Sequence, residues 1–300
     1  MVRRNYISIP KYSKQKMTRI LRLHLSMLLA WVWLGLPPAA LADEKALEVG
    51  VFPYLSARAV LSTFQPIRHY LERELGRPVE LYTAPDYRSF IERTRQGEYD
   101  VLITAPHFAR LAQVQTGYVP LAGFTKELHA IIVVSAKSSY NRLADLRGKT
   151  IVVPDRLAIV SMIGLRFLRE QGIESHRDFR LVSAISHNSA VLDVQHGNAD
   201  AAITEAAALR QMPDDLHDAV RVIATAGKVP HVMLMAHPRL GHDTIQKLKS
   251  LLEQFADESP EGRGFLEATG YEGLKPVSEA ELKSLDPYAR EIPRILRASP

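Results

Sequence analysis

From Leu47 to Ile203, short apolar runs alternate with helical stretches, and most of those stretches stop at a glycine. No other feature constrains the fold more. Leu47–Phe52 reads as a strand. A helix follows, with Val60, Leu61, Phe64, Ile67, Leu71 and Leu75 on one stripe and Gly76 as its stop. The same grammar gives a strand over 79–82, a helix over 86–96 before Gly97, a strand over 99–103, and a helix from Pro106 to near Gly117. It resumes with a strand over 150–153, a helix over 159–171 before Gly172, and a strand over 180–182. A helix over 188–196 before Gly197 and a strand over 199–203 complete it. Strands alternating with helices predict α/β architecture with mostly parallel sheets.

One internal similarity organises this pattern. Gly97-Glu-Tyr-Asp100-Val-Leu-Ile103-Thr104 matches Gly197-Asn-Ala-Asp200-Ala-Ala-Ile203-Thr204, each reading G-x-x-D-x-x-I-T. The spacing of 100 residues is far too long for a solenoid repeat. It predicts two lobes that contain the same helix–strand–turn element. Two long apolar strands, Ala130–Ser135 and Val232–Ala236, are read as connectors, and the helical segment 240–300 as returning to the first lobe. The expected division is 43–130 with 236–300 as lobe 1 and 131–235 as lobe 2, joined by a two-strand hinge that closes on a ligand.

Charge first suggests a basic protein, with 38 Lys+Arg against 33 Asp+Glu. The N-terminus changes that reading. Arg3, Arg4, Lys11, Lys14, Lys16, Arg19 and Arg22 precede an uncharged apolar run, Leu25–Leu36, then Pro37-Pro38 and Ala40-Leu41-Ala42. This is the order of a secretory signal, expected to be removed after Ala42, with Met17 as an alternative start. The run is short of the roughly 20 residues that span a bilayer, so no stable membrane anchor is expected. Removing seven basic residues and no acidic ones leaves 31 against 33, a formal charge of −2. Nothing global then attracts nucleic acid. The absence of cysteine excludes disulfides, thiolate metal sites and a cysteine nucleophile.

In open α/β sheets, ligands sit beyond the carboxyl ends of the strands. The candidate ligand residues follow from those junctions: Tyr54 and Ser56 after the first strand, Thr104 and Ala105 after the third, Ser161 and His187 in the second lobe, and Glu205 at the end of the second repeat. His129 opens the first connector. The competing role for each Ser or Thr is a helix cap. Glu205 repels a fully ionised ligand, but it can accept a hydrogen bond from a protonated oxygen or an amine, or serve as an acid at a helix start. His237 and His242 lack a carboxylate partner at metal-site spacing, so neither a metal nor a cofactor is expected. Enzyme signatures such as G-x-S-x-G, H-E-x-x-H, a Walker A loop or a dinucleotide fingerprint are absent from the sequence. An enzyme would need His187 and Glu205 as an acid–base pair, and the expectation is no catalysis.

Assembled in order, these blocks resemble the periplasmic phosphate/phosphonate/phosphite-type solute-binding proteins of ABC importers. The resemblance runs through most of 47–238. It rests on Val49–Tyr54, Phe64–Ile67, Leu75–Leu81, Asp86-Tyr87, Gly97–Val101, Leu143–Lys149, Gly172-Ile173, Ser186-His187 and Gly197–Ala202. It implies the two-lobed type II binding-protein fold and venus-flytrap closure. It also implies capture of a small anionic ligand by a monomeric protein, and delivery to a membrane permease. By position, Tyr54 matches a first-lobe residue near the ligand, Thr104-Ala105 the turn after the third strand, and His187 a polar residue before a second-lobe helix. His129 falls near a position where many members carry tyrosine, and Glu205 near a ligand-facing acid. One departure stands out. Members carry a Ser-Thr-Ser-Gly turn around the phosphonate oxygens, whereas this chain has Ser161-Met162-Ile163-Gly164. The alternative within the same fold is a periplasmic sensor whose closed form docks on the ectodomain of a membrane histidine kinase.

Overall fold

The computed structural model describes residues 45–298. The expected export segment, with its cleavage site and second possible start, lies outside the described residues. Two mixed sheets form the frame. The first contains β1 (Leu47–Val51), β2 (Val79–Tyr82), β3 (Val101–Thr104) and β4 (Val119–Phe124), with β10 (Met233–Ala236) and β11 (Leu274–Lys275) from the end of the chain. Its order is β11-β4-β10-β3-β1-β2. The second contains β5 (Glu127–Ser135), β6 (Thr150–Val153), β7 (Arg180–Ser183), β8 (Ala201–Glu205) and β9 (Val220–Pro230), in the order β7-β6-β8-β5-β9.

Both sheets repeat one plan. Three parallel strands, β2-β1-β3 or β7-β6-β8, are followed by an antiparallel strand, β10 or β5. The α/β expectation holds, with helices connecting the parallel strands right through both halves. The two long apolar strands expected as connectors are strands, and both lie inside the sheets: β10 between β4 and β3, and β5 between β8 and β9. Their continuous apolar character fits strands covered on both faces, and every side chain of β10 is buried. The chain passes between the sheets at residues 125–126 and 231–232, in two adjacent antiparallel segments. Glu127 pairs with Pro230 on one side, Met233 with Gly123 on the other, and the Phe124 amide donates to Val232 O at 3.1 Å between them.

The first connecting stretch is two helices rather than one, α1 (Ala57–Thr63) and α2 (Gln65–Leu75). Pro66 has no N–H to give Ser62 O, so the ladder breaks there and restarts with proline in a first turn. The apolar stripe survives the break: Val60, Phe64, Ile67 and Leu71 are all buried. The other sheet-flanking helices are α3 (Tyr87–Arg95), α4 (Pro106–Thr116), α5 (Ile159–Glu170), α6 (His187–Gln195), α7 (Ala206–Arg210) and α8 (Asp214–His217). The C-terminal part is helical as expected, with α9 (His242–Asp257), α10 (Pro260–Thr269), α11 (Glu279–Ser284) and α12 (Asp286–Ala298). It also supplies β11, which returns to the first sheet beside β4.

The G-x-x-D repeat has one structural meaning in both halves. Gly97 and Gly197 take left-handed φ values of 69° and 76°, which end α3 and α6 without the penalty a side chain would bring. Asp100 then accepts the Glu48 amide on its carboxylate at 3.0 Å and donates its own amide to Glu48 O at 2.8 Å. Asp200 does the same with Thr150, at 2.9 Å in each direction. Each aspartate therefore registers the incoming strand, β3 or β8, against its parallel neighbour, β1 or β6. The second carboxylate oxygen is bound by the Arg239 guanidinium at 2.8 Å in one half and by the Tyr140 hydroxyl at 3.0 Å in the other.

Candidate functional site

The carboxyl ends of the parallel strands of both sheets meet around one buried cavity of about 30 Å³. Phe52 and Tyr54 come from the turn after β1, and Ala105, His107 and Phe108 from the start of α4. Ala158, Ile159 and Val160 come from the start of α5, His187 from the start of α6, and Glu205 and Ala208 from the end of β8 and α7. His231 and Val232 come from the second passage between the sheets, and Tyr271 from the loop after α10. Described lysines, arginines and aspartates are not among the lining residues.

Two helix starts in this wall are unusual for what they lack. The N-caps of α4 and α5 are Ala105 and Ala158, and neither receives a side-chain capping bond. The first amides of a helix have no intrahelical acceptor. Those of His107 and Phe108 in one half, and of Ile159 and Val160 in the other, therefore belong to residues that line the same small space. Their partial positive charge suits an anion. The N-terminus of α7 is different: Glu205 caps it with both oxygens, accepting from the Ala207 amide at 2.9 Å and the Ala208 amide at 2.7 Å.

The histidines are set by their partners. His107 Nε2 lies 2.8 Å from Leu157 O, which can only accept, so Nε2 carries the proton and Nδ1 is a buried lone pair without a partner. His187 Nδ1 shares a 2.7 Å hydrogen bond with Thr204 Oγ1. Burial lowers both rings to about pKa 4, with the Leu157 carbonyl or the Glu205 charge pulling weakly the other way. Both are neutral at pH 7. Burial pushes the Tyr54, Tyr87 and Tyr271 hydroxyls up, so they stay protonated. Glu205 is 6 % exposed. Burial favours its neutral form, but the facing His231 ring and the Ala207 and Ala208 amides outweigh this and hold its carboxyl below the usual range. His231 Nε2 lies 3.7 Å from Glu205 Oε1, within ion-pair reach and beyond hydrogen-bond length.

Direct bonds close the space. The His187 amide donates to Tyr54 O at 3.0 Å, and the Ser56 amide to Asn188 Oδ1 at 3.2 Å. The Tyr54 hydroxyl donates to Gln211 Oε1 at 2.5 Å, and Gln211 Nε2 to Thr269 O at 3.2 Å. The Tyr271 and Tyr54 hydroxyls are 3.4 Å apart. Each of the first three bonds joins a turn of the first sheet to a segment of the second.

Of the residues selected from sequence, Tyr54, Ala105, His187 and Glu205 line the cavity. The other four lie elsewhere. Ser56 is exposed and caps α1, accepting from the Ala59 amide. Thr104 is fully buried toward α3 and α4, with its hydroxyl unpartnered. Ser161 is fully buried, and its hydroxyl donates to Asp155 O. His129 is half-buried opposite Lys228 on β9. Its neighbour Leu128 lines the cavity, and alternation along β5 turns His129 to the other face. Sequence reasoning passed over His107 and His231. His107 was legible as the second residue of a proline-started helix after a strand. His231 carries no local signal, because only the return of the chain to the first sheet brings it to the site. Among the described residues, no group of three His, Asp or Glu is placed to hold a metal ion, and no helix is long and apolar enough to cross a membrane.

The Ser161–Gly164 departure also has a local explanation. A Cβ on Gly164 would sit 2.6 Å from Ile203 Cγ2. The glycine lets α5 lie directly on β8, and Met162 and Ile163 are buried as well.

Comparison with known proteins agrees with this arrangement. Residues 49–282 match the sequence profile of the family described as "ABC transporter, phosphonate, periplasmic substrate-binding protein". The Phosphonates-binding periplasmic protein of Escherichia coli (strain K12) is 22% identical over 261 residues, covering 82% of this chain and 76% of that protein. The fold is similar to the crystal structure of a binding-protein component of an ABC phosphonate transporter from Pseudomonas aeruginosa. That likeness has a TM-score of 0.74 at 15% identity, covering 82% of this chain and 87% of the other. PhnD1 from Prochlorococcus marinus (MIT 9301), solved in complex with methylphosphonate, aligns with a TM-score of 0.72 at 16% identity, covering 83% of this chain and 98% of the other. With the profile spanning most of the chain, the protein belongs to the family of periplasmic substrate-binding proteins of phosphonate ABC transporters.

Proposed function

We propose that this chain is an extracytoplasmic solute-binding protein that takes up a small phosphonate- or phosphate-like anion between its two sheets and delivers it to the permease of an ABC importer. The observation that carries this reading is the pair of uncapped helix starts, α4 and α5, which face one closed cavity from opposite halves. Backbone amides held there select an oxyanion without a cationic side chain. The names of the matching family and of the E. coli relative support the same ligand class.

The reading is one of capture, with no bond made or broken. The two halves, each one sheet with its flanking helices, turn about the chain passages at residues 125–126 and 231–232, a few residues before the expected bounds of 130/131 and 235/236. In this arrangement the cavity leaves only about 30 Å³ of room. A ligand therefore enters only when the halves separate, and the bonds from Tyr54, His187 and Asn188 re-form around it. Export across the inner membrane, directed by residues 1–42, places this binding step where an importer's permease is accessible.

Isothermal titration of the purified chain against phosphate, phosphite, methylphosphonate and alkylsulfonates tests the proposal. Saturable one-to-one binding of at least one oxyanion is the expected result. No heat with any of them counts against it.

A further inference from the structure

The cavity poses a charge problem. Glu205 is a buried carboxylate in its wall whose two oxygens both accept backbone amides, from Ala207 and Ala208, and an anion placed beside it meets like charge in a low-dielectric space. No lining lysine or arginine offsets this. The other titratable groups in the wall are Tyr54, Tyr87, Tyr271, His107, His187 and His231. The tyrosines stay protonated and uncharged. His107 already donates to Leu157 O, and His187 already shares its Nδ1 with Thr204.

His231 differs in its hydrogen bonding. Its side chain is 1 % exposed, and neither ring nitrogen has a hydrogen-bond partner. A buried polar group left unpaired is rare and signals a missing partner. The ring lies edge-on to Phe124 at 6.2 Å and to Tyr271 at 4.7 Å, and its Nε2 points within 3.7 Å of Glu205 Oε1. Aromatic neighbours and a carboxylate together stabilise a cation. The exposed Lys228 and Glu127 on the adjoining strands pair with each other and leave this balance unchanged.

We propose that the anion is bound together with one proton from solvent, and that this proton resides on His231. In the liganded site, Glu205 and His231 then form an ion pair, and an imidazolium N–H is presented to the ligand. The charge of Glu205 is cancelled within the wall, and the helix starts of α4 and α5 hold the anion. His231 also sits in the second passage between the sheets, so its proton and the closing movement are coupled. This inference rests on the proposed capture of an anion in this cavity.

Calorimetry of the full chain tests it. Methylphosphonate and inorganic phosphate serve as probes, with methanesulfonate as a control whose charge does not change with pH. Each titration is run in two buffers of different ionisation enthalpy, which counts protons taken up. The expected result for a bound probe is uptake approaching one proton, with affinity falling about tenfold per pH unit on the alkaline side. His231→Gln, which keeps a polar side chain of similar reach, should bind at least about tenfold more weakly near neutral pH, with no proton uptake on methanesulfonate. Glu205→Gln should lose the uptake on methanesulfonate, since the carboxylate that holds the imidazolium is gone. Uptake near zero in the wild type overturns the inference while leaving the capture reading intact. Uptake of the same size in His231→Gln places the proton on the ligand and also overturns it. No binding of any probe by the wild type removes both.

Discussion

The Tyr54 hydroxyl donates a 2.5 Å hydrogen bond to Gln211 Oε1, joining the turn after β1 in one sheet to the end of α7 beside the other. Gln211 passes the link on to Thr269 O. A bond between residues 157 apart in sequence joins segments packed on different sheets and is broken when those sheets separate. Tyr54→Phe removes the bond and keeps the ring stacked on Phe52. A hydrogen bond of this kind is worth about 0.5–1.5 kcal/mol net. Ligand affinity should fall about two- to tenfold, read by calorimetry. Small-angle scattering should show a larger open fraction in the absence of ligand. Unchanged affinity and scattering would remove Tyr54 from the closing contacts.

Asp100 and Asp200 should behave as a matched pair. Each ties two parallel strands by a reciprocal backbone exchange. Removing either carboxylate leaves a buried or half-buried strand amide without its acceptor. Asp100→Ala and Asp200→Ala should each destabilise the fold by about 1–3 kcal/mol in urea unfolding, and ligand affinity of the folded protein should change little. A loss of affinity without loss of stability would assign these residues to the site instead.

The same pair shows how far the sequence could be read. The repeat indicates two equivalent halves, and periodicity with glycine stops marks the helices α1 to α6, with α1 and α2 as one, but neither α7 nor α8. Both readings work because local propensity and apolar spacing are short-range properties. Three strands, β4, β9 and the two-residue β11, have no such signal. The first two, Val119–Phe124 and Val220–Pro230, interrupt the apolar run with Pro, Gly or charged residues. The site was half legible. Tyr54, Ala105, His187 and Glu205 sit at strand ends, where topology alone sends them to the cavity. Ser56 and Ser161 carry the same hydroxyl chemistry but spend it on backbone: Ser56 on a helix cap, Ser161 on a loop carbonyl. His231 needed the full chain path, since its neighbours Glu205, Phe124 and Tyr271 all come from distant segments.

Acid should weaken the fold through His107 and His187. Their folded pKa values, about 4, lie below the unfolded value of roughly 6.5. Between these limits the unfolded chain binds more protons than the native one, so stability falls as pH drops from about 6.5 toward 4. The full effect is on the order of 3 kcal/mol per ring. Urea midpoints at neutral and acidic pH measure it. His187→Gln should reduce the slope by about half, and an unchanged slope would show that other groups govern acid sensitivity.

Gly164→Ala tests the close approach of α5 to β8. Alanine is the better helix former by about 1 kcal/mol, and on an open helix face it would stabilise. Here the added methyl meets Ile203, so the expectation is a loss of about 1–3 kcal/mol from overpacking. A stabilised variant would mean that α5 does not lie this close to β8.

The central claim is that an oxyanion is held between the two sheets by the starts of α4 and α5. A crystal structure of the protein grown with methylphosphonate tests it most directly. The account predicts the phosphonate oxygens within hydrogen-bond distance of the Ile159 and Val160 amides, with Tyr54 and His187 closed around the ligand. Methylphosphonate bound anywhere outside this cavity, in a protein shown by calorimetry to bind it, would contradict the account.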